Sequence, residues 1–221
     1  MIQLARKPRP LMRDAPTFRD DRLFIVGCDD MYAPDQYFGF FNLTRVHIYV
    51  VPTIDGTSAA QAVLDRVLEA AKSARIESDD ELWMVLDTDH CIEGTHLASF
   101  TAALTLAEQK GVKIALSRPC FEIWLLLHHA EETEVANLTT AAQVQQKLRE
   151  KLGEYNKTKL KAEHFSAENV ATACARAQRL DIALGGGRIP AGNCSRVYLL
   201  WKAIVAKAQG YQLPDSLRSI V

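Results

Sequence analysis

Trp83-Met84-Val85-Leu86-Asp87-Thr88-Asp89-His90 is a short apolar run that stops at two carboxylates one residue apart. A run of that length, with a branched centre and polar flanks, reads as a buried strand. A strand with acids at its tip points to an open α/β sheet, where sites lie beyond the carboxyl ends of the strands. Asp87 and Asp89 stand at i and i+2, so a strand continuing through both would send their side chains off the same face. Neighbouring carboxylates repel unless a cation sits between them. Mg²⁺, or Mn²⁺ in its place, takes oxygen ligands, commonly one or two carboxylates with water and phosphate oxygens completing the shell. The pair therefore reads as a metal site, and the plainer alternative is an acidic loop in which one aspartate caps the next helix.

Working outward, Leu23-Phe24-Ile25-Val26-Gly27-Cys28 and Val46-His47-Ile48-Tyr49-Val50-Val51 repeat the strand pattern, and Lys113-Ile114-Ala115-Leu116 supplies a fourth strand. Between them the period changes to that of helices. Pro34 to Asn42 fits a short helix. Ser58 opens an amphipathic one on Ala62, Val63, Val67, Leu68 and Ala71, and Leu97 to Lys110 forms another, closed by Gly111. Strands alternating with helices imply βαβ crossovers and a mainly parallel sheet covered on both faces. Beyond Ser117 the strand pattern fades. Helices are expected over Pro119 to His129, Thr140 to Leu152, Ala167 to Leu184 and Ser195 to Gln209. Gly185-Gly186-Gly187 forms a loop that follows no strand and lacks the Lys-Ser/Thr ending of a phosphate-binding loop.

These elements divide the chain into an arm over residues 1–20, rich in proline and basic residues, an α/β core over 21–130, and a helical region over 131–221 that packs on the core as one unit. The formal charge of −1 across 221 residues excludes a global basic field. Five cysteines without CxxC spacing fit reduced thiols in a cytoplasmic protein, and no apolar run is long enough to span a bilayer.

Ser117-Arg118-Pro119-Cys120-Phe121-Glu122-Ile123-Trp124-Leu125-Leu126-Leu127-His128-His129 reads as a helix capped by Ser117, with Pro119 near its first position. It is so apolar that it must be buried. Glu122 is then a charge that burial penalises unless it is paired or near a cation, which makes it a site residue or, more plainly, an acid at the helix N-terminus. His128 shares its side of the helix with Phe121, Trp124 and Leu125, so it reads either as a proton donor or as a core histidine. Lys157 lies in a cluster with Lys151, Lys159 and Lys161 that suits either a nucleic-acid backbone or a solvated face.

Leu23 to Phe38, Trp83 to His90, the Ser117 to His128 segment and Tyr155-Asn156-Lys157-Thr158 occur in the order and approximate spacing of the RloB-like family, which this chain resembles over most of residues 20–205. The Pro119 to His128 run is the most specific part of the likeness. That family is encoded with restriction loci, is related to abortive-infection proteins and is Toprim-like. The resemblance implies a Toprim-like (Rossmann-like) α/β sheet with a C-terminal helical extension. It also implies Mg²⁺- or Mn²⁺-dependent phosphodiester chemistry on DNA or RNA in phage defence, under control of an ATPase encoded nearby. The family carries Cys-Glu-Gly after the first strand, where this chain has Cys28-Asp29-Asp30, and Thr-Glu where it has Ala33-Pro34.

The resemblance thus makes Asp29 the substitute ligand beside Asp87 and Asp89, the plainer alternative being that Asp29 and Asp30 form only an acidic turn. Aspartate is one methylene shorter than glutamate and a poorer general base. In the resulting site Asp29, Asp87 and Asp89 hold the metal and Glu122 supports it, while His90, His128 or Lys157 supplies a proton or positive charge. Three functions follow from the same acids: a nuclease, a weakened binding or regulatory subunit that keeps the fold, and nucleotidyl or phosphoryl transfer on a small nucleotide.

Overall fold

Each apolar run becomes a strand, and the alternation within each strand decides which side of the sheet it feeds. The computed structural model describes residues 21–53, 56–89, 91 and 96–220; the arm at 1–20 and His90 lie outside the described residues. β1 (Arg22–Cys28), β2 (Val46–Val51), β3 (Glu81–Asp87) and β4 (Val112–Arg118) pair in parallel in the order β2-β1-β3-β4. β5 (Cys194–Ser195) adds antiparallel to β4. Two residues are too few to show a period, so β5 left no strand pattern in the sequence.

Phe24, Val26, Cys28, Trp83 and Val85 point to one face, and Ile25, Leu82, Met84 and Leu86 to the other. The second face is covered by α2 (Ala60–Ala74) and α3 (His96–Gln109). α2 approaches closely because Gly27 of β1 has no side chain; a Cβ there would overlap Val67 and Val63. Gly111, with φ at 73°, ends the turn after α3 as its spacing requires.

The first face carries α1 (Ala33–Gly39) and the later helices α4 (Glu122–Leu127), α5 (Glu132–Val135), α6 (Ala141–Leu152), α7 (Ala167–Ala183), α8 (Val197–Lys207) and α9 (Asp215–Arg218). Their apolar sides join those of β1 and β3 in one continuous core around Tyr37, Trp124 and Trp201. The fold is thus α/β, a mainly parallel sheet between helical layers with a C-terminal helical extension. None of the described helices is long and apolar enough to cross a membrane.

Two expected helix starts move. Ser117 remains in β4, where its Oγ meets Ser195 Oγ at 2.9 Å, so α4 begins only at Glu122 with no side-chain cap. Ser195 is likewise committed to β5, and α8 begins at Val197. Ser117, read as a helix cap, and Ser195, read as the start of a helix, instead tie the two strands together at the buried sheet edge.

Candidate acidic site at the carboxyl edge of the sheet

Strand register brings the acids together. Cys28 lies opposite Val85, so Asp29, the next residue, falls beside the end of β3, where Asp87 closes the strand. Beyond Asp87 the chain leaves the ladder. The Thr88 N–H donates to Ser117 O and Pro119 O, and the Asp89 N–H to Pro119 O, all at 3.1 Å. The strand therefore stops before Asp89, yet Asp87 and Asp89 still line a single cavity of about 400 Å³ together with Asp29, Asp30, Glu122 and Lys157. Of the seven residues expected to form the site, five line this cavity; His128 does not, and His90 lies outside the described residues.

Each acid has a distinct environment. Asp29 Oδ2 accepts the Asp87 N–H at 2.8 Å and its Oδ1 accepts the Asp30 N–H at 3.0 Å. Desolvation outweighs these bonds and pushes its carboxyl up to about 7. Asp30 Oδ1 accepts the N–H groups of Tyr32 and Ala33 at 2.7 and 2.9 Å, which starts α1, and its Oδ2 lies 3.4 Å from Lys157 Nζ. Asp30 thus builds this turn with its own carboxylate.

Asp87 Oδ1 is buried and has no hydrogen-bond partner. Desolvation, then the charges of Asp29, Glu122 and Asp89, raise its carboxyl well above the usual range. Glu122, on the first turn of α4, is buried; its Oε1 accepts from Gln145 Nε2 at 2.9 Å and from the Tyr155 hydroxyl at 3.1 Å. Cys91 and Cys120 also border the cavity, and burial with the neighbouring carboxylates pushes the Cys91 thiol up to about 11. Burial works against the charge of Lys157, but Asp30, Glu122 and Asp87 together outweigh it and raise its pKa. Gln145 and Tyr155 are contributions that single-residue patterns missed. Tyr155 belongs to the Tyr-Asn-Lys-Thr motif, whereas Gln145 had no local sign.

His128 lies instead in the aromatic core. Its Nδ1 is 2.8 Å from Trp124 O, an atom that only accepts, so Nδ1 carries the proton and Nε2 accepts from the Tyr37 hydroxyl at 3.1 Å. Tyr37 in turn accepts from Trp201 Nε1 at 3.1 Å. Desolvation lowers the imidazole pKa to about 3, so it stays neutral. The lysine cluster is also largely committed: Lys151 pairs with Glu134 at 2.7 Å, Lys161 with Glu154, and Lys157 with Asp30.

The donor set discriminates between kinds of metal site. Among the described residues no group of three or more His, Cys, Asp or Glu side chains is arranged to hold a metal ion. Asp29, Asp87 and Asp89 line the cavity without making such a group. A cation held by one or two carboxylates and water does fit, because Asp87 Oδ1 is a buried acceptor with no donor facing it.

A mainly parallel sheet covered by helices, with carboxylates gathered at its carboxyl edge, defines an open α/β protein, consistent with a Toprim-like fold. The chain belongs to the RloB-like protein family, whose model matches residues 24–204. No curated protein and no solved structure matches it.

Proposed function

We propose that this chain is a Toprim-like binding or regulatory subunit of a phage-defence system. In this reading its acidic cavity takes a Mg²⁺ or Mn²⁺ ion, or a ligand bridged by one, and does not sustain nuclease turnover. The observation that supports this most is the state of Asp29. Both of its oxygens accept backbone N–H bonds, from Asp87 and Asp30, where a full metal cage would need a carboxylate turned to the ion. Aspartate in place of the glutamate that the family resemblance implies is one methylene shorter and a poorer match for a general base. Asp87 and Asp89 then hold the ion with water, and Glu122 stays engaged with Gln145 and Tyr155.

A metal-dependent nuclease acting on DNA or RNA is the second reading. It is favoured by the convergence of Asp87, Asp89 and Glu122 on one cavity with an unpartnered Asp87 oxygen. A nucleic acid and an ATPase encoded nearby are the partners proposed for either reading. The experiment incubates the full chain with plasmid, single-stranded DNA and tRNA plus Mg²⁺ or Mn²⁺, beside Asp87→Ala and Asp89→Ala. Binding without aspartate-dependent loss of any substrate supports the subunit reading. Degradation that vanishes in both variants replaces it with the nuclease.

A further inference from the structure

The segment from Tyr155 to Leu160 reaches the acidic cavity through two side chains. The Tyr155 hydroxyl donates to Glu122 Oε1 at 3.1 Å, and Lys157 Nζ lies 3.4 Å from Asp30 Oδ2. Behind them, Gln36 of α1 uses both ends of its amide on this segment. Nε2 donates to the Lys157 carbonyl at 2.8 Å, and Oε1 accepts the Leu160 N–H at 2.9 Å. The same Nε2 donates to Tyr32 O at 2.9 Å, which fixes the amide on its own helix start. A side chain that satisfies a carbonyl and an N–H three residues apart holds the backbone between them in one conformation. The backbone it holds is that of Lys157, the cation among the described residues lining the cavity.

We propose that Gln36 is a positioning residue that keeps the Lys157 ammonium against the acidic cavity as a tethered counter-cation, and that this ammonium limits how tightly the cavity takes a divalent ion. The inference rests on the reading of the cavity as a cation site. Lys157 faces Asp30 directly and feels the fields of Glu122 and Asp87. An ion approaching the unpartnered Asp87 oxygen meets like charge from the ammonium, and the repulsion lowers its affinity. Lys157 is about half exposed, so the effect is moderate and fades as salt screens it.

The test titrates the full chain with Mn²⁺ alone, comparing wild type with Lys157→Gln, Lys157→Arg, Gln36→Ala and the Gln36→Ala/Lys157→Gln double variant. Hydrogen exchange at the Leu160 amide is followed in the same proteins. Lys157→Gln should bind Mn²⁺ roughly three- to tenfold tighter, and Lys157→Arg should stay near wild type. Gln36→Ala should tighten binding less and add nothing in the double variant. The Leu160 amide should exchange faster in Gln36→Ala and not in Lys157→Gln. Unchanged or weaker binding in Lys157→Gln overturns the counter-cation, and so does a Gln36 effect that persists in full without Lys157. Unchanged exchange at Leu160 in Gln36→Ala overturns the positioning role. Absence of Mn²⁺ binding in every protein sinks the cation reading and this inference with it, whereas binding that ignores Lys157 sinks the inference alone.

Discussion

Asp29 Oδ2 accepts the backbone N–H of Asp87 at 2.8 Å and so ties the carboxyl ends of β1 and β3 together. Asp29 therefore has a structural task at the sheet edge. Asp29→Ala would leave the Asp87 and Asp30 N–H groups without an acceptor and should cost about 1–3 kcal/mol of stability. Asp29→Asn keeps an acceptor oxygen and should cost markedly less. Chemical denaturation of the two variants checks this order.

The same carboxyl gives stability a pH dependence whose sign is opposite to the usual one. The folded Asp29 pKa of about 7 lies above its ordinary 3.8, so between these values the folded chain binds more protons and its stability falls as pH rises. His128 opposes it: folded near 3 against an ordinary 6.5, it makes stability fall as pH drops through that window. Asp29→Asn removes the first slope and, with the Asp29 charge gone, lessens the upward push on the Asp87 carboxyl, which acts in the same direction. Its stability relative to wild type should therefore rise from about pH 5 to about pH 8. Urea midpoints across that range measure the trend.

His128 provides the contrast between a core histidine and a proton donor. His128→Leu leaves the Tyr37 hydroxyl without its acceptor and should destabilise the chain by about 1–3 kcal/mol. Mn²⁺ affinity should stay within about twofold of wild type, because His128 lies outside the cavity lining. A large loss of affinity in a folded variant would return His128 to the site.

Gly27 marks how closely α2 lies on the sheet. Gly27→Ala sets a methyl group against Val63 and Val67 and should cost about 1–3 kcal/mol, read as a lower thermal midpoint. Pairing it with Val67→Ala should recover part of the loss, since the clash falls mainly on that side chain.

The α/β sheet was legible because apolar runs such as Leu23 to Cys28 and Trp83 to Leu86 alternate with amphipathic helical segments. Asp87, Asp89 and Glu122 share a cavity because parallel strands end at one edge, whereas Asp29 was placed beside them only by the family resemblance. What escaped is long-range. Ser117 has the chemistry of a helix cap, and only its pairing with Ser195, far along the chain, reveals its place in the sheet. The occupation of Asp29 by backbone N–H groups, the Gln145 bond to Glu122 and the Gln36 clamp on Lys157 and Leu160 depend equally on contacts between distant segments. No local spacing encodes them.

A cation is expected to bind the cavity through Asp87, whose Oδ1 is buried without a partner. The direct measurement is a Mn²⁺ titration of the full chain, followed by water-proton relaxation, for wild type and Asp87→Asn. Wild type should show one saturable site that Asp87→Asn weakens by about 10- to 100-fold, the value of one charge-assisted contact. Equal binding by the two proteins would contradict the claim.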